Sequence, residues 1–425
     1  MEIDLTFIGA FGRDPLGSLF AFFLSGGWAL IGIPVIIFLV HAYLSARMHR
    51  KQEEHLHRAK GVLLAIDLPR LSEQTPRATE NIFVQLAAVY EELTWKDRVW
   101  NGKMQERFSF EIASIDGHAQ FFVWVPEHYQ DLIEAAFYSQ YPDAEIIAVR
   151  DYTELSPHRY PNGTHDLWGA ELVLAKDDVY PLRTYPYFED KMTKEVFKDP
   201  MAAILELLNK IHHGEQAWIQ IIVSPTDEAW KEKGEKIVSE LIGREVEHKP
   251  DIISSTVGFA MKGLHGISRI GAEPSEAGDD KEEKADKKDM SPGERVIVEA
   301  IEEKISKLGF ECKIRLMYIA RKEMFHEGRG VAAFIGVFNQ FSTLNLNRFK
   351  AVKAISSKKR EVNASKNHFL HEYVGRLSEG HEHPFILNTE ELATLYHLPV
   401  EMVKAPLMEK SEAKRAPPPF SLPTA

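Results

Sequence analysis

The chain has 425 residues, 44% of them hydrophobic and 27% charged, with a formal charge of −12. That is room for two or three domains with real cores, and the acidic balance argues against wholesale binding to polyanions while leaving room for a local basic patch. The only cysteine is Cys312, so an internal disulfide and a cysteine-rich zinc site are both excluded. Cys312 falls in an alternating run, FECKIRLMYIA, and reads as a small buried strand residue.

Residues 1–18 are expected outside the membrane. From Leu19 to Leu44 there is no Asp, Glu, Lys or Arg, and roughly 20 such residues cross a bilayer core as a helix. Gly26, Gly27, Gly32 and Pro34 are tolerated in lipid, with a kink expected at Pro34. The preceding stretch carries Glu2, Asp4, Arg13 and Asp14, which is not the basic flank of a cleaved signal peptide. Arg47, Arg50 and Lys51 come soon after the apolar run. The positive-inside rule then puts the N-terminus outside and the bulk in the cytoplasm, at the cell (inner) membrane. A charged juxtamembrane helix is expected over residues 45–60.

From Gly61 the pattern changes. VLLAIDLP is a buried-strand run closed by Pro69. ATENIFVQLAAVYEEL places Ile82, Leu86, Val89 and Leu93 on one helical face. ERFSFEIASIDGHAQFFVWVP gives two strands about Asp116-Gly117, a hairpin signal. Pro126 opens a helix with Tyr129, Leu132, Ile133, Ala136 and Phe137 inward, and Ala144–Arg150 is a strand. The order β-α-β-β-α-β over residues 61–152 predicts an α+β, ferredoxin-like unit.

A second unit is expected over residues 165–352. Its parts are strand 168–176, a helix begun by Pro200, strand 215–225, strand 310–320, helix 330–341 and a last strand in NLNRFKAV. The order repeats that of the first unit, which makes an internal duplication plausible. Its insert, residues 226–308, begins with a helix from Asp227 to Ile242 and ends with one capped by Ser291-Pro292-Gly293-Glu294. Residues 272–289 between them hold eight acids and four lysines with no large apolar residue. Such a composition cannot order itself, and a disordered loop is expected there.

Motifs for chemistry are missing: there is no P-loop, dinucleotide fingerprint, nucleophile elbow or H-E-x-x-H helix. The pairs His212/His213, His381/His383 and His55/His57 are badly spaced for a metal. No catalytic, cofactor or metal residue is therefore expected. Phe121, Phe122 and Trp124 read as core, because the glycines and basic residue of an RNA-recognition strand are absent. One stretch reverses the charge of the chain: Arg348, Lys350, Lys353, Lys358, Lys359, Arg360 and Lys366 stand against the single acid Glu361. It reads as a solvated basic connector (residues 353–382), or as a contact for nucleic acid or anionic headgroups.

Residues 383–399 hold a sharply bounded helix. Asn388 is its cap and Glu391 completes a box. Glu390 and Glu391 suit the positive helix start. Leu392, Leu395 and Tyr396 form the apolar stripe, and Pro399 ends it. Residues 400–425 include five prolines, from Pro406 to Pro423, a linker composition.

FILNTEELATLYHLP, with VKAP and APPPFSLP after it, resembles the segment upstream of the motor in membrane-associated ATPases of the HerA/FtsK-like group, relatives of the type IV secretion and conjugation ATPases. FFVWVPEHYQDLIEAAFYSQYPDAEI and FIGVFNQFSTLNLNRF resemble the uncharacterised N-terminal region of such proteins from candidate-phyla bacteria. The likeness covers most of residues 60–425. The 425 residues hold no Walker A motif, so no ATP-site residue is carried over. The resemblance implies a non-catalytic accessory subunit, oligomeric with a separately encoded motor ring. Asn388, Glu390, Glu391, Leu392, Leu395, Tyr396 and Pro399 would then be its docking surface. The alternative is a membrane-tethered nucleic-acid-binding module using residues 348–366.

Overall fold

The computed structural model describes residues 28–58, 60–68, 74–188, 199–243, 290–378 and 382–399. The acidic loop expected at 272–289 and the tail 400–425 lie outside the described residues. The chain divides into two units, residues 1–61 with 91–106, and residues 62–90 with 107–425.

The first unit holds one continuous helix, α1 (Trp28–Arg58), with Pro34 inside it. The kink residue and the juxtamembrane stretch thus belong to a single element. Within α1, the 21 residues Gly32–Gln52 are long and apolar enough to cross a membrane. Ile33, Val35 to Val40 and Tyr43 point outward. Residues 19–27 of the expected span are outside the described residues. In the same unit the Arg47 guanidinium stacks over the Trp100 ring at 4.7 Å.

The second unit is α+β. Its strands are β1 (Gly61–Asp67), β2 (Phe108–Ile115), β3 (His118–Pro126), β4 (Glu145–Val149), β5 (His165–Leu174), β6 (Glu215–Pro225), β7 (Gly309–Arg321), β8 (Phe349–Lys353) and β9 (Phe385–Asn388). The sequence predicted two four-stranded units. The strands instead join into one nine-stranded sheet in the order β4-β1-β3-β2-β6-β7-β5-β8, with β9 on β7. The seam is the antiparallel pair β2–β6, running from Phe108↔Val223 to Ile115↔Gln216. Read inward from either edge, the two halves run in the same order: β4, β1, β3, β2 and β8, β5, β7, β6. At the β2–β3 turn Asp116 and Gly117 both take positive φ, 54° and 87°, the type I′ geometry that an Asp-Gly pair prefers.

Alternation along the strands sorts side chains to two faces. On one face Phe108, Phe110, Phe121, Val123, Ile219, Ile221, Ile314 and Leu316 form the main core. Five helices cover it: α2 (Pro76–Ala87), α3 (Gln130–Gln140), α4 (Pro200–Asn209), α7 (Glu327–Phe338) and α9 (Thr389–Leu395). Pro76 and Pro200 stand at the first turns of α2 and α4, where a missing N–H costs nothing. The insert contributes α5 (Ala229–Ile242) and α6 (Pro292–Ile305), which pack together through Trp230, Val238, Val298, Ile301 and Ile305. Ser291 and Glu294 form the expected capping box.

The other face is covered by α8 (Val362–Val374) and the segment around Tyr152 and Tyr160. The basic connector expected over 353–382 is therefore not a plain solvated loop. Val362 begins a helix whose Phe369, Leu370 and Tyr373 are buried against the sheet. Phe369 sits directly on Gly169, where an added Cβ would lie 2.1 Å from its ring.

Candidate functional site

Three groups of polar residues are candidates for function: the C-terminal segment, the basic stretch, and a charged row between the sheet and α8.

The C-terminal segment folds as its sequence requires. Asn388 caps α9 by accepting from Glu391 N, and the Glu391 carboxylate accepts from Asn388 N at 2.9 Å. The helix ends at Leu395, four residues before Pro399. Six of the seven residues expected to form a docking surface face inward instead, and Pro399 is half-buried. Asn388, Glu390, Glu391, Leu392, Leu395 and Tyr396 are all buried. Leu392, Leu395 and Tyr396 belong to the main core, and the Tyr396 ring meets Phe110 and Phe121 at 5.0 and 5.6 Å. β9 meanwhile pairs with β7, from Gly309↔Asn388 to Cys312↔Phe385. The segment thus engages β7 in one half of the sheet and Phe110 and Phe121 in the other.

Glu391 is completely buried and saturated. Its oxygens accept from Lys304 Nζ at 2.9 and 3.1 Å and from Leu182 N at 2.8 Å. Lys307 pairs with both Glu390 and Glu80. Burial works to lower the Lys307 ammonium, but the hydrogen bonds and charge of Glu390 and Glu80 outweigh it and hold the group above its ordinary range. Thr394 accepts from Tyr185 N at 2.9 Å. Both ring nitrogens of the buried His397 face acceptors, Ala393 O and Asp199 Oδ1, each at 2.8 Å. The chain is fixed in this way as far as Leu398, which is 1% exposed.

The basic stretch splits. Arg348, Lys350, Lys353, Lys358, Lys359 and Arg360 are exposed, whereas Lys366 is buried, pairs with Asp166 and lies over the Tyr160 ring. Lys366 is thereby withdrawn from any polyanion contact. Lys350 and Lys353 belong to β8, the outermost strand on its side, and Lys358 pairs with Glu361 at 3.4 Å.

The charged row was invisible in the sequence. Glu111, Gln220, Arg315 and Glu171 stand opposite one another on β2, β6, β7 and β5, and all four are buried. Gln220 donates to Glu111 at 3.0 Å, and Arg315 donates to Gln220 and to Glu171 at 3.3 Å each. Lys313 closes one end on Glu171 at 2.9 Å. At the other end Arg376 clasps both oxygens of Glu111, at 3.0 and 3.2 Å, and reaches Asp151 at 2.5 Å. Tyr152 donates to Glu111 at 2.8 Å. Burial alone would raise Asp151, but the hydrogen bond and charge of Arg376 hold its carboxyl below the usual range. Burial, with Glu111 beside them, pushes the Tyr152 and Tyr373 phenols well up. The row's one trace in the sequence is alternation, which puts Ser109 and Glu111 on the same side of β2, and α8 covers that face of the sheet. The row ties strands together; its carboxylates are engaged by neighbours, a geometry for holding structure rather than for moving a proton to a substrate. Among the described residues no cluster of three or more His, Cys, Asp or Glu is placed to hold a metal.

The model of the family described as Domain of unknown function (DUF8128) matches residues 41–411, most of the chain. The chain belongs to that family. The matched span takes in the sheet, the charged row and the C-terminal clamp, so these are features of the DUF8128 region. No curated relative matches it.

Proposed function

We propose that this DUF8128 protein is a non-catalytic, membrane-anchored accessory subunit that holds a separately encoded ATPase of the HerA/FtsK-like group at the membrane, as in type IV secretion or conjugation. In this reading α1 is a single span in the cell membrane, with the N-terminus outside and the body in the cytoplasm. The body is two ferredoxin-like units fused through β2 and β6. Support for the units comes from the strand order repeated in each half and from helices α2, α3, α4 and α7, which connect the strands at equivalent places.

One observation carries the proposal. The segment that resembles the base of a motor's connector is locked into the body from Phe385 to Leu398 by β9, the Lys304–Glu391 pair and the Tyr396 packing. A stretch so fixed is an anchorage for the chain beyond Pro399. Grip on a partner therefore belongs to residues 400–425, not to the Asn388 helix. The test is co-purification from detergent of the full chain and of a chain ending at Pro399. An ATPase is expected with the first and lost from the second; an ATPase retained equally by both, or absent from both, defeats the proposal. A chain cut at His383 is the wrong control, because it removes β9 and part of the core.

A second reading is favoured by the six exposed cations between Arg348 and Arg360: a membrane-tethered binder of nucleic acid. Its affinity would fall steeply with salt, and charge reversal of Lys358, Lys359 and Arg360 would abolish it.

A further inference from the structure

Along its main path the sheet ends in two outermost strands, and they differ in kind. β8 carries Lys350 and Lys353, both exposed, with exposed Arg348 just before it. Lysines on an outer strand repel an added strand, because pairing would bury their charge. β4 carries no lysine, and its charges stand only at its two ends, Glu145 and Arg150. Between Glu145 and Arg150 it reads Ile-Ile-Ala-Val. Ile147 and Val149 are 41% and 37% exposed, and they lie opposite Ala65 and Leu63 on β1, hence on one face. Leu155, 65% exposed, lies a few residues further on. Among the described residues β4 pairs only with β1, so its outer N–H and C=O groups are presented as a template.

We infer that β4 is a self-association edge: two copies of this chain pair β4 to β4 in antiparallel fashion about a two-fold axis at Ile147. The strand is self-complementary in charge. Antiparallel pairing brings the Glu145 end of one copy beside the Arg150 end of the other and sets Ile147 against its own counterpart. The asymmetry of the edges limits growth, because joining bare edge to bare edge leaves outside only the lysine-bearing β8 and the short β9, whose Ile386 N–H and C=O are held by Asp178 and Lys304, so the sheet closes as a dimer instead of extending into a fibre. A five-residue strand contact is weak on its own. Two chains confined to one membrane meet at a far higher effective concentration than free chains, which favours such a contact. The inference stands apart from the ATPase proposal, since it involves neither residues 400–425 nor a second protein.

Directly opposed residues in an antiparallel pair have Cα atoms about 4.5–5.5 Å apart, within the span of a disulfide. The native Cys312 is buried and does not interfere. The full chain carrying Ile147→Cys, oxidised in its membrane, is expected to give a covalent dimer. Lys350→Cys on β8 is expected to give none. In bilayer vesicles, single-molecule photobleaching should count the unmodified chain as a dimer and the Ile147→Lys, Val149→Lys double variant as a monomer, with an unchanged melting curve. These two positions are already half open to solvent, so the double variant should fold. The inference is overturned by a monomeric unmodified chain, by equal cross-linking from Lys350→Cys, by a dimer that survives the two lysines, or by an adduct of the Ile147→Cys variant whose mass shows a different protein as the occupant.

Discussion

Replacing Lys304 with methionine removes the ammonium and keeps nearly all of the volume, so the effect is electrostatic and not a cavity. Lys304 Nζ donates to Ile386 O at 3.1 Å and to both oxygens of Glu391. Both side chains are wholly screened from water. Breaking a buried pair from one side strands the other charge and typically costs about 3–5 kcal/mol. Glu391 retains two backbone donors, Leu182 N and Asn388 N, which places Lys304→Met at the low end, about 3 kcal/mol. Glu391→Gln is expected to cost a similar amount, because one oxygen becomes an N–H group that opposes a backbone N–H. The double variant leaves no stranded charge and should cost no more than about 4 kcal/mol, well short of the sum. Urea unfolding of the full chain in mild detergent, monitored by tryptophan fluorescence, measures all three. Against a typical stability of about 5–15 kcal/mol, the single changes are large. A loss below about 1 kcal/mol for Lys304→Met, or strict additivity in the double variant, would refute the view that this pair clamps the C-terminal segment.

Gly169→Ala drives a methyl group into the Phe369 ring and should destabilise by about 1–3 kcal/mol; Phe369→Leu in the same chain should recover part of that loss in the same assay. Asp151 is held low by Arg376, so its contribution is present above the unfolded carboxylate range and is lost as pH falls through the depressed folded value. Asp151→Asn should therefore flatten the acid limb of a stability–pH curve below about pH 4. Tyr152 and Tyr373 are raised, and Tyr141 is pushed up to about 12. Their stabilisation is present below about pH 10 and fades above it, so ultraviolet titration should show these phenols ionising only as the fold opens. Burial also pushes the Cys312 thiol well up, and a thiol reagent should label it only at the rate of unfolding.

Local rules in the sequence reached far. The Asp116-Gly117 hairpin, the Ser291 and Asn388 boxes, and the proline-led helix at Pro200 each formed where their residues allow little else. What escaped was non-local. Glu111, Gln220, Arg315 and Glu171 sit on four strands drawn from widely separated parts of the chain, and only register brings them into line. The four-residue β9 is too short to declare itself by alternation and owes its existence to the free side of β7 beside Gly309 to Cys312. The cap at Asn388 was legible, but its burial was not. A capping box looks the same on a surface helix as on one pressed into a core, and the deciding partners, Lys304 and Leu182, lie far away in sequence. The cations at 348–366 divided for a like reason: Asp166, which engages Lys366, is distant along the chain.

Helices α5 and α6 hold each other through Trp230, Val238 and Ile301, independently of whatever length of chain joins them. The packing of α5 on α6 thus sets no number of residues between Gly243 and Ser291. Size differences among related chains should concentrate there, and a tag or reporter inserted at that position should leave the strand order undisturbed.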